Sequence, residues 1–227
     1  MVMFRPKYGY NPRTGWRIPA DIEIQIPDGL TIHLDMQETG TTLIDKSGLG
    51  NNGTCYGAIT NATAPDGSNY KKLAGSNQFI SISSSDSYQT DYFTIEVIYL
   101  LESLPTAPVT NKEGAFRINT SNYQYSESLI KTTAVGWGSG RLKGNTLITY
   151  DTIHQSILVL GGGYRRIYLD GVLEAQAEDA GTLVPNTDEM RLMYSNPGGI
   201  FSFRMWDHNL SDSQLNDLYT LFVNKYR

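Results

Sequence analysis

The 227 residues predict an all-β fold: a two-sheet antiparallel sandwich or jelly roll, with one short C-terminal helix and an extended N-terminal arm. Three observations lead there. About a dozen short runs alternate apolar and polar residues, with Gly, Asn, Asp and Ser turns between them. One run near the C-terminus has helical spacing instead. The first 20 residues have neither period.

Residues 1–20 read as the arm and 21–227 as one jelly-roll domain. The arm carries Pro6, Pro12 and Pro19, and its cations Arg5, Lys7, Arg13 and Arg17 precede the first acid, Asp21. Disordered tails are poor in aromatics, yet Phe4, Tyr8, Tyr10 and Trp16 are spread along this one. Phe4, Arg5, Tyr8, Tyr10, Arg13 and Trp16 are therefore candidate contact residues, laid on the chain's own domain or on a neighbouring subunit. A loose terminus is the alternative.

Strand signals begin with Ile22, Ile24 and Ile26, then turn at Pro27-Asp28-Gly29. Leu30, Ile32, Leu34 and Met36 alternate with polar partners, and a long turn rich in Asp, Ser, Gly and Asn leads to a strand at 54–58. Further strands are expected at 78–83, 93–101, 115–119, 129–135, 146–153, 156–160, 164–170, 172–177, 190–194 and 200–206. Two hairpins are explicit. Gly161-Gly162-Gly163 tolerates positive φ, and Asp170-Gly171 suits a two-residue type I′ turn. The helix opens on a capping box, Ser211 with Gln214, with Asp212 at its positive end. Leu215, Leu218, Tyr219, Phe222 and Val223 form its apolar stripe, which predicts docking on the sandwich.

A chain of this length buries a sizeable core without staples. The single cysteine, Cys55, excludes an internal disulfide and reads as a small apolar strand residue. The formal net charge of −5 gives no global attraction for nucleic acid, and four arm cations would make only a weak, salt-sensitive contact. The N-terminus lacks the apolar run of a signal peptide and no window has the length of a membrane span, so a protein kept in the cytosol, with no membrane partner, is expected.

Chemistry is sparse. Glu96 and Glu102, and Glu174 with Glu178, read as solvated strand faces and loop edges rather than a glycosidase pair. His33, His154 and His208 lack zinc-ligand spacing, and the glycine run leads into a strand, without the helix N-terminus that cradles phosphate. Tyr88, Tyr92, Tyr123 and Tyr125 lie near polar loops, where aromatic faces suit a sugar ring or a protein interface equally.

Three blocks resemble the laminin-G-like, concanavalin A-like lectin/glucanase superfamily. The first has Asp45, Ser47, Gly48, Asn52 and Gly53 in the long turn. The second is Phe79-Ile80-Ser81-Ile82 followed by Tyr92-Phe93-Thr94-Ile95-Glu96-Val97, with Tyr99 nearby and the usual tryptophan missing. The third joins the Tyr168-Leu169-Asp170-Gly171 hairpin to Phe201-Ser202-Phe203-Arg204-Met205-Trp206-Asp207 and to the closing helix. The likeness runs from about residue 30 to 222. It implies a jelly roll that binds glycans or proteins on a concave face or loop rim, on a fold hosting many functions. It also keeps structural calcium open as the one cofactor, with Asp45, Asn51 and Asp170 as candidate oxygen ligands; Asp45 can equally bond the amides of its own loop.

The expectation is a non-enzymatic virion structural protein of phage type: a capsid decoration, head-fibre or tail-associated component assembled in the host cytoplasm. Its partners would be other virion proteins or copies of itself, held by the arm, and a host-surface glycan. The alternative is a carbohydrate-binding module or adhesin.

Overall fold

The computed structural model describes residues 8–10, 17–19, 25–64, 66–74, 78–88, 90, 92–102, 116–119, 124–127, 134–136, 142–146, 148–178, 189–192 and 197–227. Its strands are β1 (Tyr8–Tyr10), β2 (Arg17–Pro19), β3 (Leu30–Leu34), β4 (Thr42–Leu43), β5 (Gly53–Tyr56), β6 (Thr60–Thr63), β7 (Asn69–Ala74), β8 (Phe79–Ile82) and β9 (Phe93–Leu101). After these come β10 (Phe116–Asn119), β11 (Gln124–Glu127), β12 (Ala134–Gly136), β13 (Leu142–Lys143), β14 (Ile153–Gly161), β15 (Tyr164–Leu169), β16 (Val172–Glu178), β17 (Met190–Leu192) and β18 (Pro197–Trp206). The helix α1 spans Asp212–Tyr226.

Two antiparallel sheets build the sandwich. Sheet I has the order β13-β12-β11-β10-β17-β8-β5-β4, and sheet II the order β16-β15-β14-β9-β18-β7-β6, with β3 paired to β18. Between them lies the main core, where Ile80, Ile82, Met190 and Leu192 of sheet I meet Ile95, Val97, Tyr99, Leu158, Phe203 and Met205 of sheet II. Cys55 packs against it, as its sequence context predicts.

Helix α1 closes the outer face of sheet II. Its Leu215 and Leu218 pack with Ile157, Val159 and Trp206, and Phe222 with Ile98 and Phe201. Both halves of the Ser211 capping box form. Because β9, β14 and β18 are covered on both faces, they are buried almost end to end rather than in alternation. That double cover overturns one expectation. Glu96 is no solvated strand face: it is 1% exposed beneath the helix, with Arg204 Nη1 3.2 Å from its Oε2 and Gln155 Nε2 donating to its Oε1 at 2.6 Å. The Gln155 amide also reaches the Leu218 carbonyl of the helix at 3.1 Å.

The two hairpins form where the glycines predict them. Gly162 and Gly163 have φ of 64° and 81°, and Asp170 and Gly171 of 51° and 77°, the paired positive values of a type I′ turn. A Cβ on Gly171 would lie 2.5 Å from the Tyr219 ring, so this turn also seats the helix.

Other segments differ from the sequence expectation. Gln25 and Ile26 lie in no strand, and 22–24 fall outside the described residues, as do 129–133. The strand expected from 146 starts only at Ile153. Before it, the Asn145 and Thr146 amides both donate to Glu174 Oε2 at 2.8 Å, and Asp151 adopts φ 55°, which bends the chain. Strand β7, unforeseen, carries Lys71 and Lys72 in a pattern that conceals its burial. Lys71 is 2% exposed, and its Nζ donates to the carbonyls of Glu38 and Gly40, the latter at 2.9 Å, and to Asn61 Oδ1 at 2.7 Å. Strands β4, β6 and β11 are likewise absent from the sequence reading. In the arm, β1 and β2 pair antiparallel, Gly9 opposite Ile18, as a ribbon belonging to neither sandwich sheet. Phe4, Arg5, Arg13 and Trp16 lie outside the described residues, and Tyr8 and Tyr10 are placed as β1 backbone.

His33 ties stability to pH. Burial first, then the Arg204 charge, lower its pKa to about 4, while Asp35 and Asp45 oppose this and Lys46 adds to it. The folded imidazole therefore stays neutral where the unfolded one, near 6.5, takes a proton. Stability is expected to fall as pH drops from about 6.5 to about 4, by on the order of 1–2 kcal/mol once partial exposure is allowed for. Urea titrations at pH 7 and pH 4.5 with wild type and His33→Gln check this, the variant losing that part of the pH dependence.

Candidate functional site

With its only described helix on sheet II, the sandwich leaves the outer face of sheet I without helical cover among the described residues. Strand alternation puts Gly53 and Cys55 of β5 toward the core and sends Thr54 and Tyr56 outward. The same alternation on β8 and β17 turns Phe79, Ser81 and Arg191 outward while Ile80, Ile82, Met190 and Leu192 fill the core.

Register then assembles them. Tyr56 is opposite Phe79, and the two rings stack with centroids 5.0 Å apart and planes 13° from parallel. The Arg191 guanidinium carbon lies 4.5 Å from the Phe79 centroid. Glu189 fixes that guanidinium: its Oε1 accepts from Arg191 Nε at 2.7 Å and lies 2.6 Å from Nη2, while its Oε2 accepts from the Ser81 hydroxyl. Burial pushes the Glu189 carboxyl pKa up, but the Ser81 and Arg191 bonds outweigh it and hold it below the usual value. The result is a flat platform of aromatic and cationic groups, with Tyr56 47% exposed and the Ser81 hydroxyl buried against Glu189. Such a surface offers an apolar ring face beside oriented hydrogen-bonding groups.

The sequence singled out other tyrosines. Tyr88 is a correction: it is 4% exposed in the main core, its hydroxyl donates to the Ser83 carbonyl at 2.7 Å, and burial pushes its pKa up to about 12. Its neighbours Ser85 and Ser87 made it look like a loop residue, whereas a short 3₁₀ turn, Asp86–Tyr88, points it inward. Tyr92 is 54% exposed beside the β14–β15 turn, where a Cβ on Gly161 would come within 2.3 Å of its ring and 2.6 Å of Asn209 Nδ2. Tyr125 lies on β11 opposite Ile118, and Tyr123 falls outside the described residues. No signal along the chain links Tyr56 to Phe79 and Arg191; only the pairing of β5, β8 and β17 does.

The candidate metal ligands divide between two networks. Asp45 Oδ1 accepts from the amides of His33 at 2.8 Å and Ser47 at 2.9 Å, and Oδ2 from the Asn51 amide at 2.9 Å, with the Ser47 hydroxyl at 2.6 Å. Burial pushes its pKa up; these bonds, led by Ser47, bring it below the ordinary value. Asp45 thus bonds the backbone amides of its own loop and of His33 on β3. The Asn51 side-chain Nδ2 donates to the Thr31 carbonyl and to Ser87 Oγ, each at 2.7 Å. Asp170 belongs elsewhere: Oδ1 accepts from the Gln155 amide at 2.9 Å, and Oδ2 meets His154 Nδ1 at 2.8 Å and Arg227 Nη2 at 2.7 Å. Among the described residues no group of three or more His, Cys, Asp or Glu is placed to hold a metal ion.

No protein-family model matches the chain, and no characterised protein matches it in sequence. Solved structures do share its fold. Domain 4 of AbnA, an extracellular GH43 arabinanase from Geobacillus stearothermophilus in complex with arabinotriose, is 17% identical with a TM-score of 0.68, over 84% of this chain and 98% of that one. The binding domain of Paraclostridial Mosquitocidal Protein 1 is 13% identical at a TM-score of 0.71, with 88% and 54% covered. Trypanosoma rangeli sialidase in complex with sialic acid is 11% identical at 0.65, with 86% and 33% covered. The chain thus spans about half of the toxin domain and a third of the sialidase. These likenesses show the fold, a β-sandwich of two antiparallel sheets with a C-terminal helix.

Proposed function

We propose that this chain is a non-enzymatic, glycan-binding β-sandwich domain of the laminin-G-like, concanavalin A-like type, with the outer face of sheet I as its binding face. The observation that carries this is the Tyr56–Phe79–Arg191 stack, a half-exposed aromatic surface held flat by cross-strand pairing and bordered by Ser81 and Glu189. Ring stacking with adjacent polar groups is how a shallow protein surface retains a sugar. The structural likenesses to an arabinotriose-bound domain and to a sialidase agree with this reading. Its non-enzymatic part draws support from the carboxyls: among the described residues, those with displaced titration, Asp45, Asp170, Glu174 and Glu189, are shifted downward, opposite to what a general acid at neutral pH needs. Calorimetry against a panel of neutral and acidic oligosaccharides tests the proposal. Tyr56→Ala is expected to weaken the bound saccharide at least tenfold with little change in Tm; failure of the whole panel to bind would sink it.

A second reading makes the domain a virion component whose arm grips neighbouring copies. It is supported by the aromatic and cationic content of residues 1–20 and by the β1–β2 ribbon, whose strands pair with each other and with neither sandwich sheet. Deleting residues 1–20 is expected to abolish co-sedimentation with particles while leaving the thermal transition of the sandwich in place; undiminished incorporation would remove the arm from that role.

A further inference from the structure

Strand β14 runs into three consecutive glycines, and its type I′ turn accounts for two of them, Gly162 and Gly163. Gly161 comes before the turn, inside the ladder, where a glycine weakens a strand and marks a close approach. The approach is visible. At φ 139° and without a side chain, Gly161 leaves room in which the Tyr92 ring and the Asn209 amide meet, 2.3 Å and 2.6 Å from where its Cβ would stand. Ile157 and Val159 of the same strand face the helix, so alternation puts Gly161 on the outer face of sheet II. Register adds Tyr164 directly opposite Gly161, and Glu178 of β16 directly opposite Tyr164. Both tyrosine rings are exposed, and Asn209 Oδ1 has no hydrogen-bond partner among the described residues. A Cβ on Gly163 would meet open space, so the turn offers bare backbone beside the rings.

We propose that this row is a second saccharide site, on the face of the sandwich opposite the Tyr56 platform, and that it takes neutral sugars. The inference rests on the glycan-binding reading above and adds a second point of attachment and its chemical class. A sugar lays its apolar face on an aromatic ring while its hydroxyls meet a side-chain amide and exposed backbone. Tyr92 and Tyr164 are two strands apart, about 10 Å, so an oligosaccharide crossing β14 rests a separate unit on each ring. The charge of the row is the Glu178 carboxylate, which repels an acidic sugar and accepts from the hydroxyls of a neutral one. The nearby cation Arg166 is taken up by Asp212, at 3.0 Å. With a site on each outer face, one copy of the chain bridges two polysaccharide strands and gains avidity on a dense glycan surface.

The test is amide-resolved NMR of the full chain titrated with arabinotriose, cellotriose and 3′-sialyllactose. The amides of Gly161, Gly162 and Gly163 report this row, and those of Thr54 and Tyr56 report the face of sheet I. At least one neutral trisaccharide is expected to shift the glycine amides saturably, and at low salt at least about threefold more tightly than 3′-sialyllactose does. Tyr92→Ala and Tyr164→Ala should each raise the dissociation constant read there by roughly tenfold, with that at Thr54 and Tyr56 as in wild type. Tyr92→Phe, which keeps the ring, should retain the affinity, and Glu178→Gln should erase the preference for neutral probes. Saturable shifts at Thr54 and Tyr56 alone would overturn the second site and leave the glycan-binding reading standing. Shifts at the glycine amides alone would uphold this site and remove the Tyr56 platform. Tighter binding of 3′-sialyllactose at the glycines would overturn the neutral class, and unmoved amides at both places would overturn both readings.

Discussion

Asp45→Ala is expected to be among the most destabilising single substitutions in the chain, by roughly 3–5 kcal/mol. The carboxylate is buried and takes hydrogen bonds from three backbone amides, those of His33, Ser47 and Asn51, and from the Ser47 hydroxyl. Alanine removes every acceptor at once and leaves the amides facing an apolar methyl, where each unsatisfied donor costs about 1–3 kcal/mol unless water enters. For a domain of this size the loss corresponds to a Tm lower by roughly 10 °C. Ser47→Ala, which removes the hydroxyl bond and spares the amides, should cost about 1 kcal/mol. Scanning calorimetry of the two variants decides the matter; similar shifts for both would mean that the carboxylate is not the organiser of this loop. The same geometry predicts that a calcium chelator leaves the wild-type Tm unchanged. The N–H and O–H groups converging on Asp45 present hydrogens where a cation would need oxygens.

The second large effect lies under the helix. Removing either partner of the Glu96–Arg204 pair should cost roughly 3–5 kcal/mol, because the survivor is a buried charge without its counter-ion. Removing both should cost far less. Among the described residues, Glu96 Oε2 and the Arg204 Nε and Nη1 atoms make no well-aligned hydrogen bond, so the pair attracts mainly as two charges at 3.2 Å and recovers its dehydration incompletely. Glu96→Leu with Arg204→Met keeps the volume under the helix, and Gln155 retains its bond to the Leu218 carbonyl. The double variant is expected within about 1 kcal/mol of wild type, or above it. Urea unfolding of the four proteins gives the coupling energy; simple additivity of the two single losses would refute the account.

These cases show which parts of the molecule can be read along the chain. The two I′ hairpins and the Ser211 capping box were legible because every residue that specifies them lies within a few positions. Most strands were legible from alternation, though Lys71 and Lys72 hid β7 and Glu174 held the residues before β14 in a turn. Glu96 was misread for a different reason. Its burial depends on a helix that begins more than 100 residues later, and nothing beside Glu96 announces that cover. The proposed binding face was illegible in the same way. Tyr56, Phe79 and Arg191 come from three strands far apart in sequence, and a one-residue slip in any register would turn that strand's contribution inward. Tyr88 stood among serines and looked exposed, yet a single 3₁₀ turn was enough to bury it.

Lys71 has a consequence for the media in which the domain keeps its shape. Its three ammonium hydrogens are matched by three oxygens, two from the Glu38–Gly40 bend and one from Asn61, an arrangement in which an oxygen cage encloses a cation. Here the cation is a permanent branch of the polypeptide, so its local concentration is fixed by four methylenes and cannot be diluted. The bend is thereby insulated from the mineral content of its surroundings.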